Sequence, residues 1–223
     1  MRPFHIAFEG IDGCGKDEQI DRLQSFLSKY RIPTKRIEDP GAGNSRPIRE
    51  LLLNKQYSLD GMQQLLLFTA ARVAAVQEVR TLLAKGVVVI SSRWVLSTRV
   101  YQGLVGKLGV ELVNGLHTLC VAHDPHLTVL LDIPAATARR RIQQRDLQRS
   151  RGRRYHTSKA DRFESQGLQF ACKLRNGYLA AVADERCCEV VNGNAAPAKV
   201  EQRVLAACSK HIPGFSKLWL KAD

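Results

Sequence analysis

The sequence predicts an α/β fold in which about five parallel strands form one sheet with helices on both faces. Two observations carry this prediction. A run of consecutive apolar residues at 87–90 and a largely apolar run at 127–131 are typical of strands that are buried on both faces of a parallel sheet. Between such runs, apolar residues recur every three to four positions, which is the spacing of amphipathic helices. Strands that alternate with helices form a parallel sheet covered by helices on either side.

The elements follow one another as strand, loop and helix along the chain. The first apolar run, at 4–8, ends at Glu9, and a glycine-rich turn then leads into a helix with Ile20, Leu23, Phe26 and Leu27 at helical spacing. Further strands are predicted at 34–37, 87–90, 127–131 and 187–191, and further helices at 47–53, at 59–85, from residue 134 onward and at 198–208. In the helix at 59–85 the spacing predicts a core stripe of Met62, Leu66, Thr69, Val73 and Val76.

The chain length indicates a single domain. Its 223 residues fall within the usual size of one folding unit. We place this domain at residues 1–212 and a C-terminal tail at 213–223. Residues 148–158 show no apolar periodicity and are predicted to form an exposed loop, so we expect a mobile lid at about 146–159.

Positive charge is concentrated in one segment of the chain. There are 34 Lys and Arg against 21 Asp and Glu, a net charge of +13, which favours an anionic partner such as a nucleotide or a nucleic acid. Residues 139–162 contain nine arginines and one lysine against two aspartates, so this segment alone has a net charge of +8. The remainder of the chain is therefore nearly neutral.

The composition also bears on the compartment. No apolar run approaches the roughly 18 residues of a membrane-spanning helix, and no secretion signal is evident. The six cysteines form no CxxC pair and no regular spacing. We therefore expect reduced thiols, a cytoplasmic location and no membrane partner.

A phosphate-binding loop follows the first strand. Residues 10–16 fit the pattern G-x-x-x-x-G-K between a predicted strand and a predicted helix. Backbone N–H groups of such a loop surround a phosphate, and Lys16 would reach the phosphate that is transferred. The predicted nucleotide-binding residues are Gly10, Ile11, Asp12, Gly13, Cys14, Gly15, Lys16 and Asp17. The pattern predicts a three-layer P-loop NTPase fold that binds a nucleotide phosphate together with Mg²⁺. Asp17 departs from it, because a Ser or Thr hydroxyl that holds Mg²⁺ normally follows the lysine.

Six further segments appear in a consistent order along the chain. They are FEGIDG at 8–13, DPG at 39–41 followed by IRELL at 48–52, LFTAAR at 67–72, SSRW through ST to YQG at 91–103, PHLTVLLD at 125–132 and DRFE at 161–164. Together they resemble the thymidylate kinase family, P-loop enzymes that phosphorylate dTMP with ATP. The resemblance covers roughly residues 4–192 and implies the same activity and a homodimer.

The resemblance also implies roles for individual residues. Phe68 and Arg72 lie four positions apart and therefore share one helix face, where Phe68 would stack on the base and Arg72 would meet the acceptor phosphate. Arg93 would contact the same phosphate, Tyr101 would crowd out a ribose 2′-hydroxyl, and Gln102 or Thr98 would read the pyrimidine edge. Asp12 would position the acceptor. Pro40 and Glu164 complete the implied acceptor side, where Glu38 replaces an arginine that the family usually has.

Two expectations concern the transferred phosphoryl group. Gly13 stands where some relatives carry an arginine. The charge of the phosphoryl group would therefore be neutralised by lid arginines: Arg149, Arg151, Arg153 and Arg154. Mg²⁺ would be held by an exchanged pair, since Asp17 replaces a hydroxyl and Ser92 replaces an aspartate. The alternative is that Asp17 faces solvent or caps its helix.

Three other functions stay open on the sequence alone. One is a kinase for a 5-modified dUMP, such as the hydroxymethyl form. Another is a catalytically silent nucleotide-binding protein, which the changes at Asp17 and Ser92 would explain. The third is a protein that acts on DNA itself through the basic segment at 139–162.

Overall fold

The computed structural model describes residues 2–152, 163, 166–183, 185 and 187–219, with the backbone alone at 149–152 and 219. Within these residues, five parallel strands form one sheet in the order β2–β3–β1–β4–β5. The strands are β1 (His5–Glu9), β2 (Thr34–Glu38), β3 (Val88–Ser92), β4 (Leu127–Asp132) and β5 (Cys188–Asn192). The predicted parallel α/β sheet is confirmed, and each predicted strand lies within two residues of its observed position.

Helices connect the strands and cover both faces of the sheet. They are α1 (Lys16–Lys29), α2 (Arg46–Leu53), α3 (Gly61–Ala84), α4 (Val95–Thr98), α5 (Val110–Cys120), α6 (Ala135–Gly152), α7 (Gly167–Ala181), α8 (Pro197–His211) and α9 (Ser216–Trp219). A π-helical segment, Arg99–Val105, directly follows α4. Its wider turn is seen where the backbone N–H of Gly106 donates to the carbonyl of Tyr101, five residues earlier, at 2.8 Å. Among the described residues, no helix combines the length and apolarity that a membrane span requires.

Two hydrophobic clusters lie on opposite faces of the sheet. Side chains alternate along β1, so that Ile6 and Phe8 belong to the cluster with α1 and α8, whereas Ala7 belongs to the cluster with α3. β1 is buried along its whole length because it pairs with β3 on one side and β4 on the other. The carboxyl ends of β1 and β3 therefore meet at one edge of the sheet, where ligand sites of this architecture form.

Three features differ from the sequence-based expectations or add to them. In α3, Met62 and Leu66 are exposed and Leu65 is buried instead. The apolar side chains of this helix lie on several of its faces, so their spacing alone does not identify the buried face. Residues 148–152 were predicted to be loop but continue α6, because Gln and Arg favour helix even without an apolar stripe. In the segment assigned to the tail, Phe215 is fully buried and packs on Phe4 and Phe26.

Candidate functional site

A cavity of about 700 Å³ opens at the carboxyl ends of the strands. Its wall includes residues from the loop before α1, from the β2–α2 loop, from α3 and from the segment after β3. Of the residues predicted to bind ligands, it includes Asp12, Gly13, Cys14, Gly15, Lys16, Asp17, Pro40, Phe68, Arg72, Ser92, Arg93, Thr98, Tyr101 and Gln102. The structure thus brings together in one site residues that lie as far apart in the chain as Asp12 and Gln102.

The phosphate-binding loop owes its shape to glycine. Gly13 has φ +82°, in the left-handed region that side chains rarely adopt. A Cβ atom at Gly13 would lie 2.5 Å from the carbonyl oxygen of Ala138 on α6. An arginine therefore has no room at this position unless α6 moves away, so the loop cannot supply the charge that some relatives place here.

Lys16 is the first residue of α1 and lies almost wholly within the protein. Its Nζ donates hydrogen bonds to the carbonyl of Gly10 at 2.9 Å and to that of Ile11 at 3.2 Å. The ammonium group thus rests on the loop carbonyls at the start of a helix, where backbone N–H groups favour an anion.

Asp12 and Arg93 form the central ion pair of the site. Nη2 of Arg93 lies 2.5 Å from Oδ1 of Asp12, and the guanidinium lies 5.3 Å from the ring centre of Tyr101. Burial alone would raise the pKa of Asp12, but the charges of Arg93 and Lys16 outweigh it and hold that pKa below its usual range. Arg93 itself has φ +73°, a strained conformation that directs its side chain from the end of β3 toward the loop.

A buried carboxylate lies behind this ion pair. Glu9 accepts hydrogen bonds from the backbone N–H groups of Trp94 and Ser97 at 2.7 and 3.1 Å, and from the Ser97 hydroxyl at 2.6 Å. It therefore provides an acceptor for two of the backbone N–H groups at the start of α4. The Tyr178 hydroxyl lies 2.8 Å from both Ser97 Oγ and Arg93 Nη1. This network was not predicted from the sequence. Glu9 could have been found as a carboxylate at the end of a buried strand, whereas no sequence pattern pointed to Tyr178.

Arg72 is buried in an ion pair. Its Nε donates to Oδ2 of Asp39 at 2.6 Å, and its Nη2 donates to Thr98 Oγ1 at 2.9 Å. Burial raises the pKa of Asp39, while the neighbouring Arg72 opposes that shift. Oδ1 of Asp39 is buried without a partner among the described residues. The Arg72 guanidinium thus has its place fixed before any ligand binds.

Aromatic and amide side chains form the wall opposite the loop. Phe68 lies one helical turn before Arg72, and its ring centre is 6.3 Å from that of Phe163. Tyr101 contacts Phe163 edge to face at 5.3 Å. Gln102 is buried, and its Nε2 donates to Oε1 of Gln64 at 3.2 Å. This part of the cavity fits a flat heterocycle.

Asp17 and Ser92 both line the cavity but differ in setting. Asp17 is largely exposed, and its Oδ1 lies 2.5 Å from Nη2 of Arg36 on β2. Arg36 also pairs with Glu38 at 2.8 Å. Asp17 therefore has a cationic partner within the protein. Ser92 is buried at the end of β3. A carboxylate and a hydroxyl are oxygen ligands of the kind that Mg²⁺ takes, so the pair fits this ion.

Several predicted residues cannot be placed. Arg153, Arg154 and Glu164 lie outside the described residues, as do the side chains of Arg149 and Arg151. The structure instead adds three arginines to the cavity wall that the sequence did not single out: Arg49, Arg141 and Arg145. Arg141 and Arg145 occupy one face of α6, and the charge of Arg145 contributes to the lowered pKa of Asp12.

Comparison with known proteins agrees with the resemblance in the motifs. A family model described as thymidylate kinase matches residues 8–204. A protein named thymidylate kinase from Syntrophus aciditrophicus is 36% identical over 186 residues, which are 82% of this chain and 83% of that protein. Another with this name, from Dinoroseobacter shibae, is 38% identical over 90% of this chain and 94% of its own length. A third, from Chlorobium phaeobacteroides, is 32% identical over 96% and 98%.

Proposed function

The chain belongs to the thymidylate kinase family, and from that premise we propose that it transfers a phosphoryl group from ATP to dTMP. The observation that carries the proposal is the composition of the single cavity described above. Lys16 and the phosphate loop line one part of it, and Phe68, Arg72 and Gln102 line another. A donor triphosphate and an acceptor nucleotide would therefore meet near Asp12 and Arg93.

The chemistry of the acceptor requires little proton transfer. A phosphate monoester has a second pKa of about 6, so its attacking oxygen is already largely anionic at neutral pH. Catalysis then depends on holding donor and acceptor in line and on neutralising charge. Lys16 would contact the transferred phosphate, Arg93 and Arg72 would bind the acceptor phosphate, and Asp12 would hold Arg93 in place.

Base and sugar recognition would use the remaining wall of the cavity. Phe68 would stack on the base, Thr98 and Gln102 would face its polar edge, and Tyr101 would exclude a 2′-hydroxyl. Pro40 would close the acceptor side, and we extend this role to Glu164. A base that stacks on an aromatic side chain gains about 1–3 kcal/mol.

The metal and the lid supply the remaining charge. We propose that Asp17 and Ser92 hold Mg²⁺, directly or through water. When bound, this ion neutralises phosphate oxygens of the donor. Gly13 has no room for an arginine, so positive charge must come from elsewhere. We propose that it comes from the lid arginines Arg149, Arg151, Arg153 and Arg154, and that Arg145 joins them from α6.

We also propose a homodimer and a cytoplasmic location. The homodimer follows from the family resemblance and is tested by sedimentation. All six cysteines are free, which is consistent with reduced thiols and with the proposed cytoplasmic location.

The proposed reaction is tested by ADP release with ATP and a panel of nucleoside monophosphates. We expect dTMP to react faster than dUMP, CMP or UMP, and Lys16→Met to abolish the reaction while the protein stays folded. ADP release that requires a DNA polymer, or no release with any pyrimidine deoxynucleotide, would overturn the proposal.

A further inference from the structure

Gln102 is held by a chain of hydrogen bonds that ends on the backbone. Its Nε2 donates to Oε1 of Gln64 at 3.2 Å, and Nε2 of Gln64 donates to the carbonyl of Leu59 at 3.0 Å. A backbone carbonyl can only accept, so the amide nitrogen of Gln64 must face Leu59 and its oxygen must face Gln102. The Gln102 amide is thereby fixed with its nitrogen toward Gln64.

The free end of the Gln102 amide is an acceptor. None of the described residues donates to Oε1 of Gln102, a residue that is 2% exposed and lines the cavity. This oxygen is not among the fully buried polar atoms that lack a partner, so it keeps some contact with solvent. A ligand that covers this oxygen must supply a donor, because burying an amide oxygen without one costs free energy. Oε1 is thus available to a donor on the ligand.

Thr98 provides a hydrogen-bond donor beside this acceptor. Its Oγ1 accepts from Nη2 of Arg72 at 2.9 Å, so the hydroxyl hydrogen is directed elsewhere and is available to a ligand acceptor. Thr98 and Gln102 are four residues apart and line the same cavity. The wall therefore offers one donor and one acceptor in a fixed order.

This order matches one class of pyrimidine. Thymine and uracil carry the acceptor O4 next to the donor N3–H, whereas cytosine carries the donor N4–H₂ next to the acceptor N3. We infer that Gln64 is a positioning residue that fixes the Gln102 amide and so makes the site select a base with N3–H over cytosine. The inference deepens the proposed function and rests on it, since it assumes that the base lies against Thr98 and Gln102.

The relay is tested by three single variants on α3. Gln64→Met removes the acceptor for Gln102 and frees its amide to rotate, Gln64→Glu keeps an acceptor there, and Gln77→Met is a control at an exposed position of the same helix. Dissociation constants for dTMP and dCMP are measured by calorimetry, and kcat/KM is measured for both. We expect Gln64→Met to lower the dTMP-to-dCMP preference at least about tenfold, which is the size expected for one mismatched buried hydrogen bond. Gln64→Glu should stay within a few-fold of the wild type, and Gln77→Met should not differ from it.

A second comparison separates positioning from mere packing. If Gln64 acts through Gln102, then Gln64→Met in a Gln102→Leu background should leave the base preference unchanged. The inference is overturned if Gln64→Met weakens both nucleotides equally, if a folded Gln64→Met protein keeps the wild-type preference, or if the wild type does not prefer dTMP to dCMP. Failure of the proposed function is a different result: a wild type that binds dTMP selectively but transfers no phosphoryl group would overturn the reaction and leave the relay supported.

Discussion

The hydroxyl of Tyr178 lies 2.8 Å from Nη1 of Arg93 and so connects helix α7 to the end of strand β3. Helix α7 begins shortly after the segment that contains the expected lid. The position of Arg93 in the cavity wall therefore depends on a residue that follows the expected lid in the chain.

Removing this hydroxyl should affect turnover more than binding. In Tyr178→Phe, Arg93 loses one acceptor while the ring still fills its buried position. We expect kcat to fall about tenfold with a small change in KM for dTMP, and a stability loss of about 1–2 kcal/mol. Steady-state kinetics and urea denaturation measure the two effects. Tyr30→Phe, at the end of α1, is the control, and equal kinetics for both variants would contradict the positioning role.

Glu9 should make stability depend on pH. Burial raises the pKa of its carboxyl above the ordinary value of 4.5, although the charge of Arg93 and the hydrogen bonds from Ser97 and Trp94 oppose this. The folded protein then binds the proton more tightly than the unfolded chain, so the contribution of Glu9 to stability is greatest below pH 4.5 and declines as pH rises through the folded-state pKa.

Glu9→Gln isolates this contribution. Its amide oxygen still accepts from the backbone of Trp94 and Ser97, but the group no longer titrates. We expect the unfolding free energy of the wild type, relative to the variant, to fall in urea titrations as the pH is raised above 4.5 and through the folded-state pKa of Glu9. A difference between the two proteins that is constant over this range would show that the carboxyl does not titrate as described.

Two glycines should respond to alanine in opposite directions. Gly13→Ala combines φ +82° with a Cβ atom 2.5 Å from Ala138 O, so we expect a loss of at least about 1–3 kcal/mol and impaired ATP binding. Gly115 lies in α5 with nothing within 4 Å of an added Cβ atom, so Gly115→Ala should stabilise by about 0.5–1 kcal/mol. Thermal unfolding measures both. A tolerated Gly13→Ala would mean that α6 does not pack on the loop as described.

The proposed metal pair is tested by restoring the family arrangement. Asp17→Thr and Ser92→Asp should each weaken MgATP binding and Mg²⁺-dependent turnover, and the double variant should recover much of both. Asp21→Asn is the control, because Asp21 also contacts Arg36, at 3.3 Å, but does not line the cavity. Purely additive losses would leave the kinase assignment intact and assign Asp17 to its pair with Arg36 alone.

Local patterns predicted the parts of the site that depend on neighbouring residues. The phosphate loop could be predicted because its function follows from a strand, seven residues and a helix in sequence. The shared helix face of Phe68 and Arg72 follows from their spacing in the same way. Both residues line the cavity as expected.

Long-range partners could not be predicted in this way. The burial of Arg72 depends on Asp39, which is 33 residues away, and the network of Glu9 depends on Tyr178, which is 169 residues away. The start of the buried face of α3 was misassigned, at Met62 and Leu66, because helical periodicity says little when apolar residues occur on every side. Thr69 and Val76, farther along the helix, are buried as predicted. The glycine at position 13 was visible in the sequence, but the packing of α6 against it, which leaves no room for a side chain, was not.

The central claim is that this chain is a kinase for a thymine-like deoxynucleoside monophosphate. The most direct test incubates the protein with MgATP and an equimolar mixture of dTMP, dUMP, dCMP and dAMP, and identifies the diphosphates by mass spectrometry. We expect dTDP to form first and in large excess, dUDP to be a minor product, and dCDP and dADP to be almost absent. Diphosphates formed in equal amounts, a different dominant product, or no diphosphate at all would contradict it.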